Sequence, residues 1–503
     1  MPRLLRAAAG LCVVAATATP LGAFGSEGPL VQLNPTPEET QQQSAQPQST
    51  ALPTTSETPA APTAKPATTG CRRSRALNLG VTKAVKRPPT NNPLDSFTYI
   101  AGIRCHQESW LEGDFMLTDT PGFRELADKG WDFMATYYPD MSWSNFGEPG
   151  YSSMYLQAAD LYTGKTGYLW PDGQLHFSSS GWTGAGINTT ANHPPRFEGA
   201  PPLENWRIFE LWYGQKFTPQ FEVRIGKIYP WVRFASHQTS GIFQNAIFDY
   251  PGVYGSTDNR GSFLPYANAP LGIQLSYNPN PHHQFLLNVS DGKDDATGGY
   301  RISLADTTLN RDDGVEIIAE YAYLNHSKNP KALPGYYKIG FQGNTGRFTD
   351  FSTGLSSWGN YGGYITVEQM LYAEPGTEIP RTQGLLAFGK LSGTFGNNSI
   401  VNLVASSGLT YAGLIPGRDR DMTGIGIAYA GFNSAASRYY ANAFNGVASS
   451  SETALEAVYL AELTPWLMLI ASYQYVISPS LFGTMNPTQP TGQVVSINTR
   501  IAF

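Results

Sequence analysis

The sequence predicts an all-β protein: a transmembrane antiparallel β-barrel preceded by a short periplasmic helix and a disordered N-terminal linker. Three observations predict it. Only 14% of the 503 residues are charged, against about 25% in an ordinary soluble domain. Segment after segment alternates apolar with polar or small residues at period two, as strands with two unlike faces do. After the N-terminus no run approaches the twenty or so apolar residues of a membrane helix.

The first 25 residues read as a secretory signal peptide. Arg3 and Arg6 supply its positive end, residues 7–18 form an apolar stretch too short to span a bilayer, and Ala23 and Gly25 are small enough for cleavage. Its removal takes two arginines and no acid, leaving 31 Lys+Arg against 39 Asp+Glu. That negative balance argues against a nucleic-acid partner, which needs basic patches.

Residues 26–100 are expected to be a disordered linker. Pro, Thr, Ala, Ser and Gln dominate 26–69, and so little apolar surface cannot offset the entropy of ordering. A basic stretch follows, with Arg72, Arg73, Arg75, Lys83, Lys86 and Arg87. It suits either a solvated tether or contact with anionic lipid headgroups or peptidoglycan. Once the signal is gone only Cys71 and Cys105 remain. In an oxidising compartment they either close one disulfide or stay as two thiols.

Residues 101–503 form the barrel domain. Its first element is a short helix after Thr120: Pro121 fits the first helical position and Gly130 the left-handed position past the end. Period two takes over from there. In 221–229, Phe221, Val223 and Ile225 oppose Glu222, Arg224 and Gly226. In 315–323, Val315, Ile317, Ala319, Tyr321 and Tyr323 oppose Glu316, Ile318, Glu320 and Ala322. Tyr337, Ile339 and Phe341 oppose Lys338, Gly340 and Gln342, and Leu467 to Tyr475 repeats the pattern with Ser472 and Gln474 behind.

A water-soluble sandwich and a membrane barrel both alternate, but the sandwich turns its apolar face inward. Here the apolar faces end in Tyr, Trp or Phe, as interfacial girdles do. The polar faces carry charges beside Gly and Ala, as a wet lumen would. The last strand alternates Val495, Ile497, Thr499, Ile501 and Phe503 against Ser496, Asn498, Arg500 and Ala502. Its terminal Phe looks like the assembly signal of bacterial outer-membrane barrels. The implied partners are the barrel assembly machinery and outer-membrane lipids, and the location is the Gram-negative outer membrane.

Several motifs carry a family resemblance across 107–503. They include Gly122-Phe123-Arg124-Glu125-Leu126, Phe209-Glu210-Leu211-Trp212-Tyr213-Gly214-Gln215, Arg224-Ile225-Gly226-Lys227 and Phe243-Gln244-Asn245. Further matches are Leu333-Pro334-Gly335-Tyr336-Tyr337-Lys338-Ile339-Gly340, Gly413-Leu414-Ile415-Pro416-Gly417-Arg418-Asp419-Arg420-Asp421, Glu456-Ala457-Val458-Tyr459 and Pro465-Trp466-Leu467. On these the chain resembles the carbohydrate-selective porins of the OprB type. The resemblance implies a barrel of about sixteen strands, each needing roughly ten residues to cross. It also implies passive diffusion of glucose and related sugars, which would be partners in transit. Two features depart from the family pattern: the extension 26–100, and Gly214 where an acidic residue is expected beside Gln215.

A sugar-selective constriction needs donors and acceptors converging on a narrow aqueous path. Strand parity puts Glu210, Glu222, Arg224, Glu316, Glu320, Lys338, Gln342, Gln474, Asn498 and Arg500 on the lumen side. Glu210 with Arg224 is the first choice for the constriction; the competing reading for each residue is an ordinary lumen charge paired across strands. Arg207 has outward parity and is, with Lys227, a weaker candidate that could instead snorkel at a strand end. Asn259, Arg260, Phe263 and Tyr266 lie in a connection that could fold inward. Arg418 to Asp421 read as a salt-bridged turn starting the strand 423–429.

No enzyme signature emerges. The seven histidines stand in no Ser/His/Asp arrangement, and His282-His283 reads as an exposed turn. No cofactor, metal site or catalytic residue is expected. A general, unselective porin and a barrel serving mainly as an outer-membrane or cell-wall anchor remain as alternatives.

Overall fold

The computed structural model describes residues 121–503, leaving out 146–149, 164–169, 186–206, 231–232, 236–238, 250–268, 281, 293–313, 326–332, 376–382, 419, 445, 465, 482–483, 486–487 and 489. The signal peptide, the linker, Cys71, Cys105 and the connection around Asn259, Arg260, Phe263 and Tyr266 lie outside the described residues.

Helix α1 (Pro121–Asp128) begins on its proline, and Gly130, at φ +92°, turns the chain into the first strand. β1 (Trp131–Ser144), β2 (Gly150–Tyr162), β3 (Gly173–Ala185), β4 (Arg207–Thr218) and β5 (Phe221–Lys227) form one stretch of wall. After the short helix α2 (Ala246–Asp249) come β6 (Leu271–Asn280), β7 (His283–Asp291), β8 (Val315–Asn325) and β9 (Gly335–Asp350). β10 (Leu355–Ala373), β11 (Gly384–Phe395), β12 (Val401–Ala412) and β13 (Met422–Phe432) follow. Helix α3 (Ser434–Phe444) and β14 (Val447–Ala448) precede β15 (Ser451–Thr464) and β16 (Leu467–Ile477). β17 (Ser480–Leu481) and β18 (Thr484–Met485) pair with β14 in a small separate sheet, and β19 (Thr491–Ala502) ends the chain.

Sixteen of these strands close into one antiparallel barrel. The seam joins β1 to β19, with Thr136 opposite Ala502 and Asp140 opposite Asn498. Phe503 N–H donates to the Ala135 carbonyl at 2.7 Å, one bond beyond the last paired residue. Closure gives each described barrel strand a neighbour on both sides, as hydrocarbon, which tolerates no open sheet edge, requires.

The alternation sets the two faces. Ile225, Ile339, Phe341, Ile365 and Ile425 are exposed on the outer wall, while their neighbours Arg224, Lys338, Gln342 and Thr366 are buried inside. Aromatic rings gather near one rim: Tyr277, Phe285, Tyr321, His283, Tyr323 and Tyr337 form a chain of ring contacts 5.1–6.3 Å apart. The histidine of the expected turn therefore joins an interfacial belt, donating to or accepting from Tyr321 Oη at 2.8 Å. The same rim holds the strand ends joined by the short connections 219–220, 281–282 and 465–466, and the opposite rim the strand ends joined by the long ones 186–206, 228–270 and 292–314. Short turns face the periplasm and long loops the exterior in such barrels.

The turn after β12 lies at the short-connection rim and is built on charge, as its sequence suggests. Arg418 Nε meets Asp421 Oδ2 at 2.7 Å, Asp421 Oδ1 accepts Glu462 N–H at 3.0 Å, and Tyr459 O–H donates to Asp421 as well. Arg420 pairs with Glu462 at 3.0 Å.

Candidate functional site

Between β5 and β6 the chain does not stay at the rim. Ile228, Tyr229, Phe234, Ile242, Phe243, Ile247 and Phe248 are all buried, and so are Thr239, Ser240 and Asn245. A loop this apolar must find cover, and it does so inside the barrel. Its contacts run across the lumen from β4 to β8 and β10, on to β15, β16 and β19, and back to β11.

Wall carboxylates hold its backbone at four places. Glu210 on β4 accepts Tyr229 N–H at 3.0 Å, and Glu320 on β8 accepts Ala235 N–H at 2.6 Å. Glu368 on β10 accepts both the N–H and O–H of Thr239 at 2.7 Å. Glu456 on β15 takes Gln244 N–H at 2.7 Å and Asn245 N–H at 2.9 Å. Cations take the carbonyls: Arg500 Nη2 donates to Gly241 O at 2.7 Å, and Lys390 Nζ to Phe248 O at 3.4 Å. Gln474 Oε1 accepts from Asn245 Nδ2 at 3.2 Å. Loop backbone groups buried against the wall would otherwise be left unmet.

The tip of the segment is fixed by shape. Phe243 stacks on Phe248 with centroids 4.4 Å apart, and Phe388 on β11 closes the trio edge-on. The wall opposite is glycine: a Cβ at Gly424 would lie 2.8 Å from Phe243 Cζ, and one at Gly426 2.7 Å from Phe248 Cε1. Only a residue without a side chain leaves that hollow open. The apolar groups of the segment thus pack against the wall of β11 and β13.

The polar half is the wall of β2–β6. His176 on β3 lies 2.8 Å from Asp160 Oδ1 and 3.6 Å from Glu210 Oε2, and stacks on Trp212 at 4.7 Å. Arg224 lies over the same indole from the next strand, Cζ 4.1 Å from the ring centroid. Its Nε pairs with Glu222 Oε1 at 2.5 Å, and Arg233 of the inward segment reaches Glu222 Oε2 at 3.3 Å. Gly214 faces Arg224 in register, and a Cβ there would lie 3.3 Å from Arg224 Cγ and 3.1 Å from the Trp212 ring. Burial first, then the adjacent Arg224 charge, push the Arg233 guanidinium down from its ordinary value to about 10, with Glu222 opposing.

Among the residues singled out by parity, Glu222 and Arg224 stand together here. Glu210 does not meet Arg224; it serves Tyr229 and neighbours His176. Glu320 lies under the segment with Lys338 at 3.7 Å and Tyr364 Oη at 2.7 Å. Lys338 also sits 4.5 Å from the Tyr336 ring centroid. Glu316 accepts from Gln342 Nε2 at 2.7 Å, near the outer rim. Asn498 and Arg500 are buried on β19.

Near Arg207 the pairing of β3 with β4 is irregular, because Phe209 is an extra residue. The register passes from Ser178 opposite Glu210 to Ser179 opposite Ile208, so Arg207 faces Ser180. Counting by twos does not carry a face across such a bulge. Lys227 ends β5 between Leu211 and the exposed Leu271, at the outer-wall position.

Sequence reading missed His176, Trp212, Arg233, Glu368 and Glu456 as site residues. Glu456 could have been found, since it alternates with Leu455 and Ala457 on a strand of the expected kind. Arg233 carried no periodic signal.

The family model of the carbohydrate-selective porins, OprB family, matches residues 150–503. The high-pH structure of Pseudomonas putida OprB is similar at a TM-score of 0.64 and 19% identity, covering 79% of this chain and 100% of that one. The low-pH structure of the same protein has a TM-score of 0.49 and 17% identity, covering 78% and 99%. No curated protein matches the chain. With a family match over more than half its length and a closed sixteen-strand wall, the chain belongs to the OprB family of carbohydrate-selective porins.

Proposed function

We propose that sugars pass this barrel at a constriction formed where the described residues of 228–249 meet the wall of β3–β6, with Arg224, Glu222, Trp212 and Arg233 lining it. The protein is a passive outer-membrane channel for carbohydrates. The observation that carries the finer reading is the inward segment, bound by Glu210, Glu320, Glu368 and Glu456 across the lumen. It packs its apolar groups against the wall of β11 and β13, and the polar wall of β3–β6 is the side we assign to the path.

That side suits a neutral sugar. Hydroxyls are met by charged donors and acceptors in a fixed array, and the ring's apolar face by an indole. The contacts are few, so a sugar is held weakly enough to leave. No step calls for a nucleophile or a cofactor, and the reading is of transport without catalysis. Export by the segment 1–25, insertion by the barrel assembly machinery into outer-membrane lipid, and contact of the linker 26–100 with peptidoglycan belong to the same proposal.

Liposome swelling with the mature chain tests it, comparing glucose, a disaccharide and an amino acid of glucose's size. Fast glucose entry with slow amino-acid entry is expected. Equal rates for the two small solutes would make it a general porin, and no swelling by a folded barrel would leave anchoring as its role.

A further inference from the structure

The Arg224 cluster contains more donors than its carboxylate can use. Both Glu222 oxygens are engaged, one by Arg224 Nε and one by Arg233 Nη2. Arg224 Nη2 is buried with no hydrogen-bond partner among the described residues, and the same holds for Trp212 Nε1 and for both atoms of the Gln274 amide. These three side chains are more than nine-tenths buried, at 5%, 5% and 1% relative exposure. They are also neighbours. Gly214, Arg224 and Gln274 stand side by side on β4, β5 and β6, and Trp212 lies against Arg224 on the same inner face.

Gly214 decides the balance. It is the residue directly opposite Arg224, and it presents no side chain where a carboxylate would have completed the guanidinium's pairing. Three cations, Lys216, Arg224 and Arg233, gather around Glu222, and the other carboxylate in reach is Asp172 beside Lys216, which leaves the cations in excess. A neutral solute needs matched donors and acceptors. A guanidinium edge, an indole N–H and an amide N–H left over together are the complement of an oxyanion, and the planar guanidinium fits a carboxylate best of all.

We propose that Arg224, Trp212 and Gln274 form an anion subsite that takes the carboxylate of an acidic monosaccharide, an aldonic or uronic acid. The proposal rests on the reading of this wall as the constriction and extends its substrates from neutral to acidic sugars. The sugar's hydroxyls remain for Glu222 and the facing segment. The chain as a whole is negative, with 33 Lys+Arg against 39 Asp+Glu, so the cationic character is a property of this spot.

The full mature chain in planar bilayers provides the test. Chloride-carried current is followed while glucose or sodium gluconate is added, and the concentration that halves the current is read for each. Gluconate is expected to occlude at a concentration about tenfold lower than glucose, the advantage of charge-assisted bonds over neutral ones. Arg224→Gln and Gly214→Glu, each checked for folding by heat-modifiable gel mobility, are both expected to erase that difference. Gln274→Leu, which alters no charge, is expected to reduce it about threefold and serves if either of the others misassembles. A gluconate midpoint equal to or above that of glucose would overturn the subsite while leaving the sugar path in place. An advantage that survives in all three variants would overturn it too. Occlusion by neither solute, in a channel that still swells liposomes with glucose, would overturn both the subsite and the constriction it rests on.

Discussion

Glu456 and Asn245 are 211 residues apart in sequence, yet the Glu456 Oε2 accepts the Asn245 N–H at 2.9 Å in the middle of the barrel. The other oxygen accepts the preceding N–H, of Gln244, at 2.7 Å. One carboxylate thus reads two successive amides of the inward segment and fixes its turn just before α2. The bond works because a carboxylate is acceptor on both oxygens.

Glu456→Gln isolates that requirement. The substitution keeps the size but turns one acceptor into a donor that must face an N–H. A buried N–H left unmet costs about 1–3 kcal/mol, concentrated on the segment rather than on the wall. The expected outcome is a barrel that assembles normally but shows larger and noisier single-channel conductance. Conductance and noise identical to those of the parent would remove Glu456 from the anchoring of the segment.

Gly426 tests the apolar half. Its neighbour Phe248 Cε1 would lie 2.7 Å from an added Cβ. Gly426→Val forces the ring out of its hollow, and overpacking of this kind costs about 1–3 kcal/mol. Phe248→Ala instead removes the ring and leaves a cavity, at about 3–5 kcal/mol. Both are expected to lower the temperature at which the folded band is lost on gels, the alanine variant more. The opposite order would mean that the hollow can relax around a larger wall residue.

How far the sequence discloses such features depends on their range. Alternation is local, so Ile339 and Phe341 outside with Lys338 and Gln342 inside follow directly from their order along β9. The strand pattern, the helix between Pro121 and Gly130 and the charged turn at Arg418 and Asp421 are legible for the same reason. The inward segment is not, because its partners are remote: Ala235 and Glu320 are 85 residues apart, Gly241 and Arg500 259. Glu210 and Glu320 were readable as inward-facing charges, but that they serve backbone amides is visible only once the loop is placed. The bulge at Phe209 shows the remaining limit, since one extra residue breaks the count by twos along β4 and leaves no local mark in the sequence.

Trp212 on β4 is stacked by His176 from β3 and covered by the Arg224 guanidinium from β5. Trp212→Leu keeps an apolar residue but gives up the stacking surface, a loss of about 0.5–2 kcal/mol in cation–π and ring contact. Arg224 then loses the platform that orients it. Glucose entry relative to a similarly sized amino acid is expected to fall several-fold in liposome swelling, through poorer discrimination rather than a blocked pore. A ratio unchanged from the parent would place the discriminating surface elsewhere on the wall.

Asp421 provides the opposite case, a buried carboxylate whose loss is expected to touch stability alone. It gathers Arg418 Nε, the Glu462 N–H and the Tyr459 O–H at the short-connection rim. Asp421→Ala strands these donors and is expected to cost roughly 2–4 kcal/mol, at about 1 kcal/mol or more for each bond. The folded band should disappear at a lower temperature in heat-modifiable electrophoresis, and refolding into detergent should yield less barrel. Sugar entry into liposomes, normalised to the amount of folded protein, is expected to match the parent, because none of the three partners faces the segment 228–249. A changed glucose-to-amino-acid ratio in Asp421→Ala would show that this turn is coupled to the path, and the assignment of selectivity to the wall around Arg224 would have to be extended to the periplasmic mouth.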